Sequence, residues 1–217
     1  MIKKYKVFLV DDHELVREGL TRLINQQKHM EVCGEAEDLA GALEGLSSAK
    51  ADIVVVDLFL KRNFSGLDLI KELRLHYPHL KIIVVSMYEE SIYGVRSLKA
   101  GAQGYVMKKE SSVRIIEAIE KVMAGGVYMS ETLANSMLSE FQGKNPSEEK
   151  DLGEILSDRE IEVFHLLGSG KTTIQVSEAM NLSSKTVHSY CSRIKEKLRL
   201  TNYNELLREA VKWVEKE

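Results

Sequence analysis

Four continuous runs of apolar residues divide the first half of this chain, and they limit its fold more than any other feature. The runs are Val7–Val10, Ile53–Val56, Ile82–Val85 and Tyr105–Met107, and a weaker one spans Glu31–Ala36. Strands that lack alternating polar residues are buried on both faces, as in a parallel sheet covered by helices. Amphipathic helical patterns lie between the runs, and alternating strands and helices favour an α/β domain. The first half is therefore predicted to be a doubly wound, five-stranded parallel sheet.

The helical patterns repeat apolar residues every three or four positions. The three clearest stripes contain Leu15, Val16, Leu20, Leu23 and Ile24; Leu67, Leu69, Ile70, Leu73 and Leu75; and Val113, Ile116, Ile119 and Val122. The pair Gly125–Gly126 is expected to end the last of these helices.

Polar residues follow the apolar runs where each predicted strand ends. They are Asp11, Asp12, Asp57, Ser86 and Lys108. In an open parallel α/β sheet, ligands bind outside the carboxyl ends of the strands, so these residues are expected to meet at one edge. Clustered carboxylates suit Mg²⁺, whereas a lysine and a hydroxyl suit an incoming phosphoryl group. The pattern predicts an acidic pocket that accepts phosphate, with ordinary polarity at strand ends as the alternative.

The composition indicates a globular protein without a membrane segment. The net charge of −3 points to neither nucleic acid nor membrane as a partner of the whole chain. No apolar stretch reaches the roughly 18 residues of a membrane span, and Asp11–Asp12 interrupt the short N-terminal run that resembles a signal peptide. The two cysteines, Cys33 and Cys191, are too few for a disulfide framework. We expect a cytoplasmic protein.

A change of pattern separates the predicted α/β domain, residues 1–126, from a second domain. Residues 127–151 are predicted to be a linker that contains a helix, because a weak helical pattern precedes a polar stretch with a helix breaker. From residue 152 to residue 217, only helical periodicity is present. Ser157 and Glu160 form a capping-box pattern, which should open the first helix of this domain.

A helix predicted at 184–198 has one apolar face and one polar, basic face. Its apolar face contains Val187, Cys191, Ile194 and Leu198. Residues 185–199 hold five basic side chains against a single acid, Glu196. A short helix at about 174–180 and a turn at 181–183 precede this helix, an arrangement typical of a helix-turn-helix that binds DNA. The alternative is a solvated face on a small helical bundle.

The whole chain resembles the two-domain response regulators of the NarL/FixJ class. Residues 1–126 are similar to their receiver domain, which has a flavodoxin-like fold, and residues 152–214 are similar to their LuxR-type helix-turn-helix domain. The second similarity rests on Leu156–Val163 and Ser183–Tyr190. The resemblance implies a transcription regulator that is switched by phosphorylation and is not an enzyme with substrates of its own.

The resemblance also implies roles for the pocket residues. Asp57 would accept a phosphoryl group from a sensor histidine kinase or a small phosphodonor. The ligands of Mg²⁺ would be Asp11, Asp12, Asp57 and the carbonyl oxygen of Phe59. Ser86 and Lys108 would bind the phosphoryl oxygens, and Tyr105 would be the switch residue that moves inward with Ser86.

In the second domain, the resemblance implies a dimer that binds paired half-sites about one helical turn apart. The residues expected to face base edges are Lys185, His188, Ser189 and Ser192. The residues expected to contact phosphates are Thr173, Arg193, Lys195 and Lys197. The candidate dimer face contains Leu206, Leu207, Ala210, Val211 and Val214, with packing inside the domain as an equal alternative. RNA polymerase is a further candidate partner.

Several positions depart from the family pattern. Leu60–Lys61 stands where the family usually has a Met-Pro pair, and Gly66 follows about one residue late. The loop 61–65 is therefore longer and more basic than usual. Ile174 and Tyr190 stand where lysine and histidine are common, so contacts to the phosphate backbone are expected to differ there.

Two aromatic residues lie at matching positions beside the pocket. Phe59 and Tyr88 each come two residues after a pocket residue, Asp57 and Ser86. We expect their rings to limit the access of water and so to slow hydrolysis of the acyl phosphate.

Other functions fit parts of the pattern less well. The first is a phosphorylation-controlled module whose helical domain binds protein instead of DNA. The second is a phosphohydrolase that uses Asp57, but Phe59 stands where a general acid would be expected. Gly168–Thr172 is similar to a phosphate-binding loop, yet position 165 is His165 and the preceding residues predict a helix. That segment is expected to be a helix end and a turn.

Overall fold

A computed structural model of the chain describes residues 4–60, 66–88, 90–141 and 152–215. The chain forms two compact units, which divide between residues 144 and 145. The loop 61–65 and the polar stretch 142–150, both singled out in the sequence, lie outside the described residues.

The first unit contains the predicted five-stranded parallel sheet. Its strands are β1 (Tyr5–Val10), β2 (Met30–Ala36), β3 (Ile53–Asp57), β4 (Lys81–Ser86) and β5 (Gly104–Met107). Their order across the sheet is β2-β1-β3-β4-β5, and every neighbouring pair is parallel. The order reverses between β1 and β3, which is the point where ligands bind in sheets of this kind.

Helices cover both faces of this sheet, as the apolar strands require. They are α1 (Glu14–Asn25), α2 (Leu39–Ala49), α3 (Gly66–His76), α4 (Glu90–Ala100) and α5 (Ser111–Met123). The core on one face joins Val7, Val55 and Ile83 of the strands to Ile24 of α1 and Ile119 of α5. Every residue of β3 is buried, which confirms that this strand is covered on both sides.

The predicted apolar stripes of the helices extend beyond the helix surface that packs on the sheet. Leu15, Leu75 and Val113 belong to the predicted stripes, yet their side chains are 82%, 73% and 80% exposed. Periodicity therefore identifies the helices correctly but overestimates the buried face at their ends.

A sixth helix follows the sheet and packs on the same unit. After α5, Tyr128 forms a parallel β-bridge with Gly104 of β5. Helix α6 (Glu131–Phe141) then packs against α4. The predicted helix of the linker is thus present, and its described residues belong to the first unit.

The second unit is wholly helical in its described residues. Its helices are α7 (Leu152–Ile155), α8 (Asp158–Gly168), α9 (Thr173–Ala179), α10 (Ser184–Leu198) and α11 (Tyr203–Glu215). Ser157 and Glu160 form the predicted capping box at the start of α8. Gly170 has a φ of +83°, a left-handed conformation that favours glycine, and it lies in the turn to α9. The stretch 168–172 is therefore a helix end and a turn, not a phosphate-binding loop.

Among the described residues, no helix is both long and apolar enough to cross a membrane.

Candidate functional site

The strand ends bring the predicted pocket residues together. Asp11 and Asp57 end neighbouring strands and are each 3% exposed, while Ser86 at the end of β4 is fully buried. The Nζ atom of Lys108 lies 2.7 Å from a carboxylate oxygen of Asp11 and 2.7 Å from one of Asp57. Residues that are far apart in sequence therefore form one ionic cluster at the carboxyl edge of the sheet.

The charges in this cluster perturb one another. Burial, together with the nearby charge of Asp11, raises the pKa of Asp57 from 3.8 to about 6, although Lys108 acts in the opposite direction. Burial opposes the charge on Lys108, but the two carboxylates outweigh it and raise the pKa of the lysine. The pocket thus holds a lysine cation between carboxylates whose own negative charge is costly to bury.

The donor atoms of the pocket fit a hard divalent cation. Carboxylate oxygens of Asp11, Asp12 and Asp57 lie within 4.8 Å of one another, in a group that also includes a ring nitrogen of His13. Clustered carboxylate oxygens are the ligands that Mg²⁺ takes from proteins. The acidic pocket is therefore compatible with Mg²⁺.

A chain of hydrogen bonds leads from the pocket to β5. The hydroxyl of Ser86 accepts a hydrogen bond from the backbone N–H of Tyr88 at 3.2 Å. The carbonyl of Tyr88 in turn accepts one from the hydroxyl of Tyr105 at 2.9 Å. Tyr105 is only 2% exposed, so the residue predicted to be the switch lies in an inward position.

Three aromatic rings cluster where the chain leaves β3 and β4. The rings of Phe59 and Tyr88 lie 4.0 Å apart, and both are within 5.5 Å of the ring of Tyr93 on α4. The backbone N–H of Phe59 donates to a carboxylate oxygen of Asp57 at 3.2 Å. The rings of the two positions that the sequence singled out therefore meet, and the backbone of Phe59 contacts the carboxylate of Asp57.

Three residues near the pocket were not predicted to support it. A guanidinium nitrogen of Arg17 donates to the carbonyl of Asp11 at 2.7 Å, which fixes the backbone at the end of β1. The ring of His13 lies 2.7 Å from a carboxylate oxygen of Asp12, a contact that its neighbouring position in the sequence could have suggested.

Gly66 is the third of these residues. A Cβ atom there would lie 2.3 Å from the Cα of Leu58, and its N–H donates to the Leu58 carbonyl at 2.7 Å. The chain after the loop therefore returns against the backbone next to Asp57, and only glycine fits this approach. Gly66, which comes one residue later than in the family pattern, therefore still packs against the backbone at the end of β3.

In the second unit, α9 and α10 form the predicted helix-turn-helix. Between them, Asn181 has a φ of 51°, and the hydroxyl of Ser183 accepts the N–H of Thr186 to cap α10. The side chains predicted to face bases are all exposed on α10; they are Lys185, His188, Ser189 and Ser192. Val187 and Ile194 are fully buried on the opposite face, so α10 presents its polar side to solvent.

The predicted phosphate contacts are less uniform. Arg193 is exposed and its guanidinium lies 5.6 Å from the ring centre of Tyr190. Thr173 and Lys195 are half-buried. Lys197 is 2.6 Å from a carboxylate oxygen of Glu160, which is 2% exposed. In this structure, Lys197 therefore compensates a buried charge of α8 instead of standing free for a phosphate.

The candidate dimer stripe divides into buried and accessible residues. Leu206 and Ala210 are fully buried within the helical unit, and a Cβ on Gly168 of α8 would lie 2.3 Å from the carbonyl of Ala210. Packing inside the domain therefore accounts for these two side chains. Leu207, Val211 and Val214 are half-buried, so only they keep surface that a partner could contact.

Comparisons with known proteins agree with both units. Residues 7–120 match the family model of the response regulator receiver domain. Residues 154–210 match that of the bacterial regulatory proteins of the LuxR family.

Two relatives match nearly the whole length of the chain. The chain is 31% identical to the oxygen regulatory protein NreC of Staphylococcus epidermidis, over 95% of this chain and 97% of the relative. It is 28% identical to the transcriptional regulatory protein DegU of Brevibacillus brevis, over 97% and 95% of the two chains.

Solved structures add a comparison in three dimensions. RcsB of Salmonella enterica serovar Typhimurium, bound to promoter rprA in the presence of the phosphomimetic BeF3⁻, superposes with a TM-score of 0.64 at 25% identity. The match covers 95% of this chain and 98% of RcsB. With both family models matched in this order along one chain, the protein is a two-component response regulator that joins a receiver domain to a LuxR-type DNA-binding domain.

Proposed function

We propose that Asp57 accepts the phosphoryl group and that this event controls dimerisation and sequence-specific binding of DNA. The contact of Lys108 with both Asp57 and Asp11, at 2.7 Å each, is the observation that supports this most directly. A lysine held by a buried carboxylate at a strand end is placed to bind the oxygens of a group attached to that carboxylate.

In the transfer step, a carboxylate oxygen of Asp57 attacks the phosphorus of a phosphorylated donor. The bond from phosphorus to the donor breaks, and the donor keeps the electron pair. A sensor histidine kinase or a small phosphodonor supplies this group. Lys108 and the buried hydroxyl of Ser86 then bind the phosphoryl oxygens.

A bound Mg²⁺ supplies positive charge that neutralises the pocket during transfer. Its proposed ligands are Asp11, Asp12, Asp57 and the carbonyl oxygen of Phe59. Among the described residues, Asp11, Asp12 and Asp57 bring three carboxylates into this cluster, and Lys108 contacts two of them. The proposed switch residue is Tyr105, whose hydroxyl donates a hydrogen bond to the carbonyl of Tyr88 in the loop that follows Ser86.

For DNA, α10 is proposed to enter the major groove. Lys185, His188, Ser189 and Ser192 would contact base edges there, and their exposure on one face of α10 supports this. Thr173, Arg193 and Lys195 would contact phosphates, with Lys197 doing so only if its pair with Glu160 opens. A homodimer formed through the accessible residues Leu207, Val211 and Val214 would bind paired half-sites.

The cellular setting is proposed from the same features. A regulator that receives a phosphoryl group from a kinase and binds promoter DNA acts in the cytoplasm. RNA polymerase is a candidate partner at the promoter, because regulators that bind DNA act there on transcription.

A DNA-binding titration with and without beryllofluoride and Mg²⁺ tests the proposal. The wild type should bind promoter DNA more tightly with this phosphate mimic, and Asp57→Ala should lose the increase. If the wild type binds DNA with the same affinity with and without the mimic, control by phosphorylation is contradicted.

The DNA surface is tested by reversing charge on α10. Lys185→Glu combined with Lys195→Glu should abolish DNA binding, because the changes place one negative side chain against base edges and one against phosphates. Arg22→Glu together with Lys28→Glu reverses the same charge on exposed positions of the receiver and serves as the matched control. If the α10 variant binds DNA as the wild type does, a domain that binds protein is the better interpretation.

A further inference from the structure

The residue that follows the acidic pair brings a nitrogen atom to the pocket. Nδ1 of His13 lies 2.7 Å from a carboxylate oxygen of Asp12 and 3.2 Å from one of Asp11. The backbone N–H of His13 also donates to the carboxylate of Asp11 at 2.8 Å. The ring and the main chain of this residue therefore both contact the acidic pair.

Helix capping does not explain the position of this ring. His13 is the N-cap residue of α1, and its carbonyl accepts the N–H groups of Val16 and Arg17. An N-cap side chain ordinarily accepts a backbone N–H of the first helical turn, but the side chain of His13 makes no such hydrogen bond. The imidazole contacts the carboxylates instead of the helix end that it precedes.

An ion pair with the acids is a weak explanation as well. The side chain of His13 is 57% exposed, and exposed ion pairs contribute little to stability. Lys108 already contacts Asp11 and Asp57 through one oxygen of each carboxylate. His13 lies against the other oxygen of Asp11. The ring and the lysine therefore contact different atoms of this carboxylate, and the ring adds a donor atom that the lysine does not replace.

The distances around this nitrogen match those between neighbouring ligands of a metal ion. Two ligands at right angles, each about 2.1 Å from the ion, are about 3.0 Å apart. The distances from Nδ1 of His13 to the oxygens of Asp12 and Asp11, 2.7 and 3.2 Å, lie on either side of that value. An oxygen of Asp57 belongs to the same group, whose donor atoms all lie within 4.8 Å of one another.

We propose that His13 is a nitrogen ligand of the metal ion in this pocket and that it shifts the preference of the site from Mg²⁺ toward first-row transition ions. Carboxylates suit Mg²⁺, whereas imidazole suits the later ions of the row, among them Fe²⁺, Ni²⁺ and Zn²⁺. The inference rests on the proposed function and deepens it, because it names a second class of ion for the receiver and the residue that selects it.

Binding of Co²⁺, which stands among these ions in the order of affinity, is compared with binding of Mg²⁺ by calorimetry. The untagged full chain is used at a single pH. His13→Ala should bind Co²⁺ about tenfold or more weakly than the wild type, but Mg²⁺ within about twofold of it. His13→Gln keeps a hydrogen-bond donor beside Asp12 and lacks the ring nitrogen, so it should lose as much affinity for Co²⁺ as His13→Ala.

Two further variants locate the ions. His79→Ala removes an exposed histidine between α3 and β4, at the opposite end of the sheet, and should bind both ions as the wild type does. Asp12→Asn should weaken the binding of both ions. Equal losses for Co²⁺ and Mg²⁺ in His13→Ala, wild-type affinity for Co²⁺ in His13→Gln, or unchanged binding in Asp12→Asn would each overturn the proposal.

Proton NMR of the protein with one equivalent of Co²⁺ tests the ligand directly. A histidine that binds Co²⁺ through one ring nitrogen carries an N–H on the other, whose resonance is strongly shifted and disappears in D₂O. The wild type and His79→Ala should show this resonance, and His13→Ala should not. A resonance that persists in His13→Ala would assign the ion to another histidine and overturn the inference.

These measurements use no phosphodonor, phosphate mimic or DNA. A receiver that binds Co²⁺ through His13 but does not respond to beryllofluoride would therefore count against the proposed function and not against this inference.

Discussion

At the scale of single residues, the pocket depends on charges that the fold brings together at a cost. Asp57 is 3% exposed beside the carboxylate of Asp11, and one lysine compensates both. Each group was predictable as a polar residue at the end of an apolar run. The free-energy cost of burying these charges was not predictable, because it depends on distances between residues that are far apart in sequence.

Replacing Asp57 by asparagine should stabilise the protein, and more at high pH. Folding raises the pKa of Asp57 from 3.8 to about 6, so its favourable contribution is present below pH 3.8 and is lost as the pH rises through 6. The gain in unfolding free energy for Asp57→Asn should therefore grow by about 1–2 kcal/mol from pH 5 to pH 8. Urea unfolding in EDTA, followed by far-UV circular dichroism, measures it. A gain that does not change with pH would contradict the raised pKa.

The two aromatic rings beside Asp57 should lengthen the life of the acyl phosphate. The rings of Phe59 and Tyr88 lie 4.0 Å apart, and the backbone of Phe59 contacts the carboxylate of Asp57, so we expect the rings to limit the approach of water. In Phe59→Asn, Tyr88→Asn, loss of the phosphoryl group should be several times faster than in the wild type, as release of labelled phosphate would show. The exposed Met87→Asn serves as the control, and an unchanged lifetime in the double variant would reject the idea.

At the scale of elements, helix ends and contacts between helices decide details that periodicity leaves open. The capping box at Ser157 and Glu160 was predicted from sequence spacing and is present. The pair between Glu160 and Lys197 was not predicted, because it joins α8 to α10 across 37 positions of the sequence. A lysine interpreted as a phosphate contact thus has a structural partner.

Helix α8 should make the DNA-binding domain sensitive to acid. Burial lowers the pKa of His165 from 6.5 to about 4, so the folded domain resists the proton that the unfolded chain binds. The stabilisation from neutral His165 is fully present above pH 6.5 and is lost as the pH falls toward 4. The free energy of unfolding should therefore fall by about 1–2 kcal/mol between pH 7 and pH 5.

The single tryptophan allows this loss to be measured directly. Trp213 lies 6.1 Å from the ring of His165 and 5.5 Å from that of Phe164, so its fluorescence follows this domain in urea. His165→Gln should remove most of the pH dependence. His188→Gln, which changes an exposed histidine of α10, should keep it. The same slope in both variants would assign the loss to other groups.

At the scale of the whole molecule, the chain contains two compact units, and ligands of the pocket should act on the first one. Under the proposed role of Asp57, beryllofluoride with Mg²⁺ binds only the folded receiver, so it should raise the midpoint of receiver unfolding. The midpoint of the transition followed by Trp213 fluorescence should not change with the mimic. Circular dichroism should show, in addition, a receiver transition whose midpoint is shifted. A single transition that moves with both signals would mean that the two units unfold together.

The sequence by itself determined the order of the elements, the parallel sheet and the set of residues at its carboxyl edge. It could do so because continuous apolar runs and helical stripes are local patterns, and because strand ends meet in any sheet of this class. The capping residues of α8 and the polar face of α10 followed from spacing in the same way.

Only the tertiary structure decided which buried charges are neutralised by an opposite charge and which surfaces are covered by another element. It placed Lys108 between Asp11 and Asp57, Lys197 against Glu160, and the chain after α5 on α4 and the edge of β5. These contacts join residues that are distant in the sequence, and their energies depend on burial and separation. No local pattern carries that information, because it arises only when the elements pack.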